Sequence, residues 1–335
     1  MIFNELFANP WIVLVFKVVA VLLVFLTAPM VVGYAEHKGL AHMQSRLGPM
    51  EAGKFHGWAQ LIADGVKFIQ KEDIIPAAAD RKVFSVAPIV ALVPTILVFL
   101  VLPFGPGPGD NPANGIWGEN FDLGLFFVLA ISAIGVIGML MAGWSSANKF
   151  ALIGAIRGAA QLIAYELPLV LAASAVAMQA GTISLVGIVE AQDSYWFVIP
   201  QFAGFALFLL ASLAELSRPP FDMPIADSEI IFGHMTEYTG VRFAMFLLAE
   251  YAGIVALSAV ATVLYLGGWH GLLIPFIPAP IWTLGKVGLL AFFIIWLRAT
   301  YPRLREDQLQ KMAWKYLIPI ALVNILLTMI FKVAF

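Results

Sequence analysis

Residues 84–103 read FSVAPIVALVPTILVFLVLP and contain no charged side chain. A helix of about 20 apolar residues is about 30 Å long, which matches the hydrocarbon core of a bilayer. Arg81 and Lys82 precede the run, and Pro103 begins the glycine- and proline-rich stretch that ends it. This stretch therefore predicts a helix that crosses a membrane.

Similar apolar runs recur along the chain. Across all 335 residues, 61% are hydrophobic and 12% are charged, whereas soluble domains contain about 25% charged residues. We therefore predict an all-α integral membrane protein whose eight transmembrane helices form a single transmembrane domain over residues 1–335. The seven further runs are 11–33, 123–143, 159–178, 195–214, 243–266, 281–297 and 314–333.

Loop charges predict the orientation of these helices. Every Lys and Arg outside the runs lies in the first, third, fifth or seventh loop. Such residues concentrate on the cytoplasmic side, so we place both termini on the opposite side. Lys17 and Lys286 lie inside runs near their outer ends, where we expect them to reach the headgroups or, less simply, to serve a function.

The first cytoplasmic loop, residues 34–82, contains an amphipathic helix at about 56–72. Trp58, Leu61, Ile62, Val66 and Ile69 recur at helical spacing, with polar residues between them. Such a helix can lie flat as a membrane-surface anchor. The polar residues that precede it in the loop favour instead the wall of a cavity.

The fifth cytoplasmic loop, residues 215–242, is rich in acidic residues. A solvated acidic turn is one interpretation. However, apolar residues such as Phe221, Met223 and Ile225 alternate with the acids, which indicates a segment that folds back against the protein. The acids are Glu215, Asp222, Asp227, Glu229 and Glu237, and Arg218 and Arg242 lie among them.

Two carboxylates lie inside predicted spans. Glu250 is about ten residues from the cytoplasmic start of the sixth run, and Glu166 precedes Pro168 in the fourth. Acids at this depth usually mark ion paths, although each could instead be a hydrogen-bonded tie between helices.

Composition also excludes several functions. A net charge of −2 offers no basic surface for nucleic acid. With no cysteine, the chain can form neither a disulfide nor a cysteine-ligated iron–sulfur cluster. Its five histidines show no metal-site spacing, so we predict no metal.

Several motifs, in order, resemble the H subunit of respiratory complex I, the family of mitochondrial subunit 1. They cover nearly the whole chain. They are Glu36-His37-Lys38, Met43 to Pro49, Gln60 to Glu72, Ala159-Ala160-Gln161 with Tyr165-Glu166, Ala214 to Asp222, Thr236 to Gly240, Ala249-Glu250-Tyr251, and Thr300 to Leu309.

The resemblance implies a membrane subunit of a proton-pumping NADH-quinone oxidoreductase in a bacterial cell membrane. It implies quinone as a substrate at a shared site, and iron–sulfur clusters in partner subunits of the peripheral arm. It also implies that helices two to six are similar to half of an antiporter-like subunit. The implied proton-transfer residues are Glu166, Glu215, Asp227, Glu229, Glu237 and Glu250. The implied quinone-chamber residues are Glu36, Lys38, Arg46, Asp64, Lys67, Arg218, Phe221, Asp222, Tyr238, Arg298 and Arg303.

Two departures and two alternatives accompany this resemblance. The family usually has Arg at His37 and an acid at Ile225, so the charge beside Glu36 and the mouth of the proton path differ here. A stand-alone ion antiporter also needs buried acids. The equivalent subunit of a membrane-bound hydrogenase or related dehydrogenase is the other alternative.

Overall fold

The structure is a computed structural model that describes residues 10–106, 119–271 and 278–334. Its helices are α1 Pro10–Met43, α2 Gln60–Gln70, α3 Arg81–Val101, α4 Gly124–Ser145, α5 Lys149–Ala180, α6 Leu185–Glu190, α7 Phe202–Glu215, α8 Asp227–Ile230, α9 Gly240–Tyr265, α10 Ala279–Thr300, α11 Glu306–Met312 and α12 Ile318–Ala334. A 3₁₀ turn covers Gly233–Met235, and a π-helical turn, Ala313–Leu317, joins α11 to α12.

Within the described ranges, seven helices are long and apolar enough to cross a membrane. They are α1, α3, α4, α5, α9, α10 and the continuous helix from Glu306 to Ala334. This agrees with the predicted all-helical membrane protein.

The fifth predicted span, residues 195–214, differs from the structure. Its helix α7 has only 14 residues and begins at Phe202, so it is about 21 Å long and too short to cross a bilayer core unaided. Pro200 cannot continue a helical ladder. The preceding residues bond elsewhere, with Val198 N–H donating to the Tyr265 carbonyl and Phe197 N–H to Gln192 Oε1. The predicted count of eight spans therefore becomes seven in the described ranges, plus this shorter apolar helix.

Two helices extend beyond their predicted ends. Helix α1 continues to Met43, so Glu36 and Lys38 are helical and do not lie in a loop that begins at residue 34. Helix α5 begins at Lys149, where Asn148 accepts a hydrogen bond from Phe150 N–H. Glu166 therefore lies about 25 Å from the start of its helix, deeper than the two turns expected from the sequence.

Close helix packing surrounds the central helices. Helices α3, α4, α5, α7 and α9 contact one another directly or through a neighbour. At one crossing a side chain on Gly138 of α4 would lie 2.6 Å from the backbone nitrogen of Ala91 on α3. Small residues let membrane helices approach in this way. The likeness of these helices to half of an antiporter-like subunit stays a prediction.

The fifth loop folds back against this bundle. Phe221 and Met223 are almost fully buried. Gly154 of α5 lies against the loop so closely that an added Cβ would be 2.7 Å from both Gly233 Cα and the Pro224 carbonyl oxygen. The structure therefore favours the folded-back interpretation over the solvated turn.

The first loop contains the amphipathic helix α2, which covers Gln60–Gln70, fewer residues than predicted. None of its residues is fully buried, and Ile62, Val66 and Ile69 are exposed. The helix packs against α9 and α1. Its position at the membrane surface stays a prediction.

Lys286 of α10 does not reach outward as expected. Its ammonium donates to the carbonyls of Leu266, Gly268 and His270, at 2.5, 2.9 and 2.7 Å, and lies 4.3 Å from the centre of the Trp196 ring. The lysine therefore caps the chain where α9 ends, because cations stabilise the carbonyl end of a helix. Lys17, by contrast, pairs with Glu119 at 2.7 Å.

Candidate functional site

A cavity of about 190 Å³ lies among helices α3, α4, α5, α7 and α9 and is closed on one side by the fifth loop. Most of its lining is apolar. Three carboxylates line it: Glu166 from α5, Glu215 from the end of α7, and Glu250 from α9. The remaining polar lining comes from Thr95, Ser132, Ser217 and His234.

Glu215 is the most enclosed of these acids. It ends α7, Ser132 lies within hydrogen-bonding reach, and Glu166 is close enough for the two charges to repel each other. Glu215 Oε2 and Ser217 Oγ are buried without a hydrogen-bonding partner in the described part of the chain. Because a cavity of this volume can hold several waters, these atoms and the carboxylates can exchange protons through water.

Glu250 lies ten residues beyond the start of α9 at Gly240, about 15 Å along the helix, as the sequence predicts. Its Oε1 is 2.7 Å from Arg218 Nε. The acid therefore faces the cavity and also forms an ion pair outside it.

Arg218 connects helices α1 and α9. Its Nη1 donates to both carboxylate oxygens of Glu36 on α1, at 3.0 and 3.1 Å, and its guanidinium lies 4.5 Å from the centre of the Tyr251 ring. Burial alone would lower the pKa of Arg218, but Glu250 and Tyr251 raise it above its ordinary value. Glu36 is also paired with Arg298 of α10. The four charged groups are thus mutually neutralised, which buried charges require.

The other predicted proton-transfer residues lie away from the cavity lining. Glu229 pairs with Arg157 at 2.6 Å and with Arg303 at 3.0 Å. Arg157 first, and Arg303 next, hold the pKa of Glu229 below its ordinary value. Glu237 accepts a hydrogen bond of 2.5 Å from Asn148, the cap of α5. The side chain of Asp227 is outside the described part of the structure.

Of the predicted chamber residues, those from the first loop and the end of α1 follow Glu36 in the chain. Lys38 donates to the Leu47 carbonyl at 3.3 Å. Asp64 of α2 pairs with the exposed Lys67 at 3.5 Å and accepts from Gln60. Arg46 is exposed and donates to Gln44.

The remaining chamber residues belong to the fifth loop and the α10–α11 connection. Phe221 packs edge-on against Tyr165, and Tyr238 stacks on Phe84 with ring centroids 4.0 Å apart. Both are almost fully buried, and Asp222 Oδ1 accepts from Ala226 N–H within the loop. These three residues therefore shape the loop, and Arg303 approaches it at Glu229.

Sequence reasoning missed two groups that the structure brings to the site. From the sequence, His234 is only one of five histidines without metal-site spacing, yet it is buried and lines the cavity. Ser132 is an isolated hydroxyl in an apolar run, and nothing in its neighbourhood distinguishes it. The sequence also gives no sign that Arg218 joins Glu36 to Glu250.

Comparison with known proteins agrees with this arrangement. A family model described as NADH dehydrogenase matches residues 16–329. The NADH-quinone oxidoreductase H subunit of Geobacillus kaustophilus is 44% identical over 94% of this chain and 92% of its own length. The second such protein of Syntrophobacter fumaroxidans is 45% identical over 95% of each chain, and the first of Geobacter sulfurreducens is 44% identical over 97% of each.

Identity at this level over nearly the full length of both chains, with buried acids at membrane depth, leaves one family assignment. The chain belongs to the NADH dehydrogenase family.

Proposed function

We propose that this chain is the membrane subunit of a bacterial proton-pumping NADH-quinone oxidoreductase that forms part of the quinone chamber and couples quinone reduction to proton translocation. It acts as one subunit of the enzyme complex and does not catalyse the reaction alone. Support for the enzyme comes from the relatives, all three of which are named as NADH-quinone oxidoreductase subunits.

The cavity carries the proposal for coupling. It collects Glu166, Glu215 and Glu250 in an apolar surrounding where an idle charge would be costly. Glu250 is in turn tied through Arg218 to Glu36. A protonation event at Glu36 would therefore change the charge that Arg218 presents to Glu250.

On the cytoplasmic side, the same ion network would face the quinone. A quinone site needs apolar walls and a few polar groups that reach the carbonyl oxygens. Glu36, Arg298 and Lys38 supply such groups, with Asp64, Lys67, Arg46 and Arg303 nearer the loop surfaces. Phe221, Asp222 and Tyr238 would hold the fifth loop in the shape of the wall. The chamber would be completed by partner subunits of the peripheral arm, which bring the electrons.

The mechanism follows from charge balance. Reduction of a quinone takes up protons as well as electrons, so the chamber's charge changes with each turnover. We propose that Glu36 and Arg298 sense this change and that Arg218 shifts its pairing between Glu36 and Glu250. Proton occupancy of Glu250, Glu215 and Glu166 then changes in sequence. Asp227, Glu229 and Glu237 would shape or feed the cytoplasmic mouth, with both termini on the opposite side of the membrane.

Replacing Glu250 or Glu215 with Gln tests the proposal in the assembled enzyme. Gln keeps the shape but cannot carry a proton, so both quinone reduction and proton pumping in sealed membrane vesicles should fall by about 100-fold, the lower range for a positioned acid–base group. Glu190→Gln is the matched control, because this acid ends α6 away from the cavity. Wild-type rates in both assays for fully assembled Glu250→Gln and Glu215→Gln enzymes would reject the proposal.

A separate measurement distinguishes the antiporter alternative. The chain purified alone and placed in vesicles should not move protons or sodium, because its input is quinone chemistry in partner subunits. Ion movement by the isolated chain would favour a transporter instead.

A further inference from the structure

His234 is a buried titratable residue that the proposed proton path does not yet use. It is the middle residue of the 3₁₀ turn Gly233–Met235 in the fifth loop, and only 6% of its surface is exposed. It lines the same cavity as Glu215 and Glu250. The loop therefore places an imidazole at the wall of the cavity that contains the membrane-embedded acids.

Tight packing fixes the position of this imidazole. A side chain on Gly154 of α5 would lie 2.9 Å from the backbone nitrogen of His234, and the Gly233 backbone has φ +52°, a conformation that favours glycine. The His234 ring meets Phe246 of α9 edge-on, with centroids 5.6 Å apart. The ring is thus held between α5 and α9 at the cavity wall.

The polar atoms around the cavity have unused hydrogen-bonding capacity. His234 Nδ1 is buried and has no partner in the described part of the chain, and the same holds for Glu215 Oε2 and Ser217 Oγ. All three residues line the one cavity. Buried polar groups are normally satisfied, and a water that makes about three hydrogen bonds can satisfy several at once.

The chemical form of the imidazole suits transfer of protons. Burial lowers the pKa of His234 to about 4, so the ring is neutral near pH 7. A neutral imidazole has one donor and one acceptor nitrogen. It can take up a proton on one nitrogen as it releases the proton of the other, which returns it to the neutral tautomer.

We propose that His234 is a proton-relay residue that passes protons, through cavity water, between the fifth loop and Glu215. The relay deepens the proposed function and rests on it. Each transfer breaks one N–H bond and forms another on the same ring, and a proton taken from the loop side is delivered toward the carboxylate. No electron moves in the step.

The experiment uses the assembled enzyme in sealed native membranes. His234→Phe keeps an aromatic ring against Phe246 but removes both nitrogens, whereas His234→Gln keeps a donor and an acceptor but cannot exchange protons as imidazole does. We expect both variants to assemble, to lose about tenfold or more in proton-coupled quinone reduction, and to show a larger solvent deuterium isotope effect. His42→Phe, an exposed histidine at the end of α1, is the control for the exchange itself.

The outcomes separate this proposal from the function on which it rests. Wild-type rates and isotope effects in His234→Phe, with Glu250→Gln inactive, would overturn the relay and leave the proposed function intact. Full activity in His234→Gln with loss in His234→Phe would show that the residue only anchors water, which also overturns the relay. If Glu250→Gln and Glu215→Gln were themselves fully active, the proposed function would fail first.

Discussion

Arg218 and Glu36 form a buried ion pair across 182 positions of sequence, with Nη1 at 3.0 and 3.1 Å from the two carboxylate oxygens. The same guanidinium approaches Glu250 through Nε at 2.7 Å. One side chain of the fifth loop thus joins α1 to α9. Because Glu250 also faces the cavity, the pair links the proposed quinone side of the protein to the proposed proton side.

Replacing Arg218 with Gln should disable both sides. The change leaves Glu36 and Glu250 without the cation between them, and removal of one partner from a buried pair costs about 3–5 kcal/mol. We expect poor assembly, measured by the yield of intact complex, and loss of quinone reductase activity in what assembles.

Arg218→Lys is the informative comparison. Lysine keeps the charge, but its ammonium lacks the planar fork that reaches two carboxylates at once. We expect this variant to assemble better than Arg218→Gln while pumping fewer protons per electron. Equal pumping ratios in Arg218→Lys and the unaltered enzyme would contradict the bridging role.

Lys286 should matter for stability and not for turnover. Its ammonium caps three carbonyls after α9 while the residue is only 9% exposed, and hydrogen bonds from a charged group contribute about 1.5–3 kcal/mol each when their partners are buried. Lys286→Met should therefore lower the temperature at which the purified enzyme inactivates, with little change in rate at low temperature.

Lys17→Met is the matched control for this lysine. The Lys17–Glu119 pair is partly exposed, and such pairs contribute about 0–1 kcal/mol. The thermal midpoint should move clearly for Lys286→Met and barely for Lys17→Met. The reverse order would refute the capping role.

The sequence predicts much of this fold because lipid imposes one strong constraint, an apolar run of spanning length. That constraint locates the seven long helices of the described ranges and the depth of Glu250. It fails at residues 195–201, since Gln192 and Tyr265 take up backbone groups there through contacts between distant segments. It also misplaces the ends of α1 and α5, whose helices continue beyond the apolar runs.

The site is predictable only in part for the same reason. Acids at membrane depth stand out against apolar neighbours, so Glu166 and Glu250 are visible in the sequence. Partner identity is not visible, because the loop that carries Arg218 and His234 reaches the bundle through a fold of the backbone around Gly233 and Gly154. A histidine in such a loop looks solvated until the packing is known.

Glu229 provides a prediction about pH. Arg157 and Arg303 lower the pKa of its carboxylate in the folded protein, so the ion pairs stabilise the loop above the ordinary carboxylate pKa, and this contribution is lost as pH falls through the folded value. The Glu229 side chain is about half exposed, so salt should weaken the pairs.

Hydrogen exchange of the loop backbone measures this effect. At pH 7 and low salt, Glu229→Gln should speed exchange of residues 226–236 relative to the unaltered enzyme. High salt should shrink the difference. The same difference at low and high salt would show that the ion pairs do not hold the loop.

Gly154→Ala should displace the fifth loop. The new methyl group would lie 2.7 Å from Gly233 Cα and from the Pro224 carbonyl oxygen, and backbone cannot yield as a flexible side chain does, so overpacking should cost about 1–3 kcal/mol. Gly288→Ala on α10 is the control, because nothing lies within 4 Å of its added Cβ. There the loss of backbone freedom should even stabilise the helix, by about 0.5–1 kcal/mol. Quinone reductase activity and thermal midpoint should both fall in Gly154→Ala alone, and an unchanged Gly154→Ala enzyme would mean that the loop does not depend on this contact.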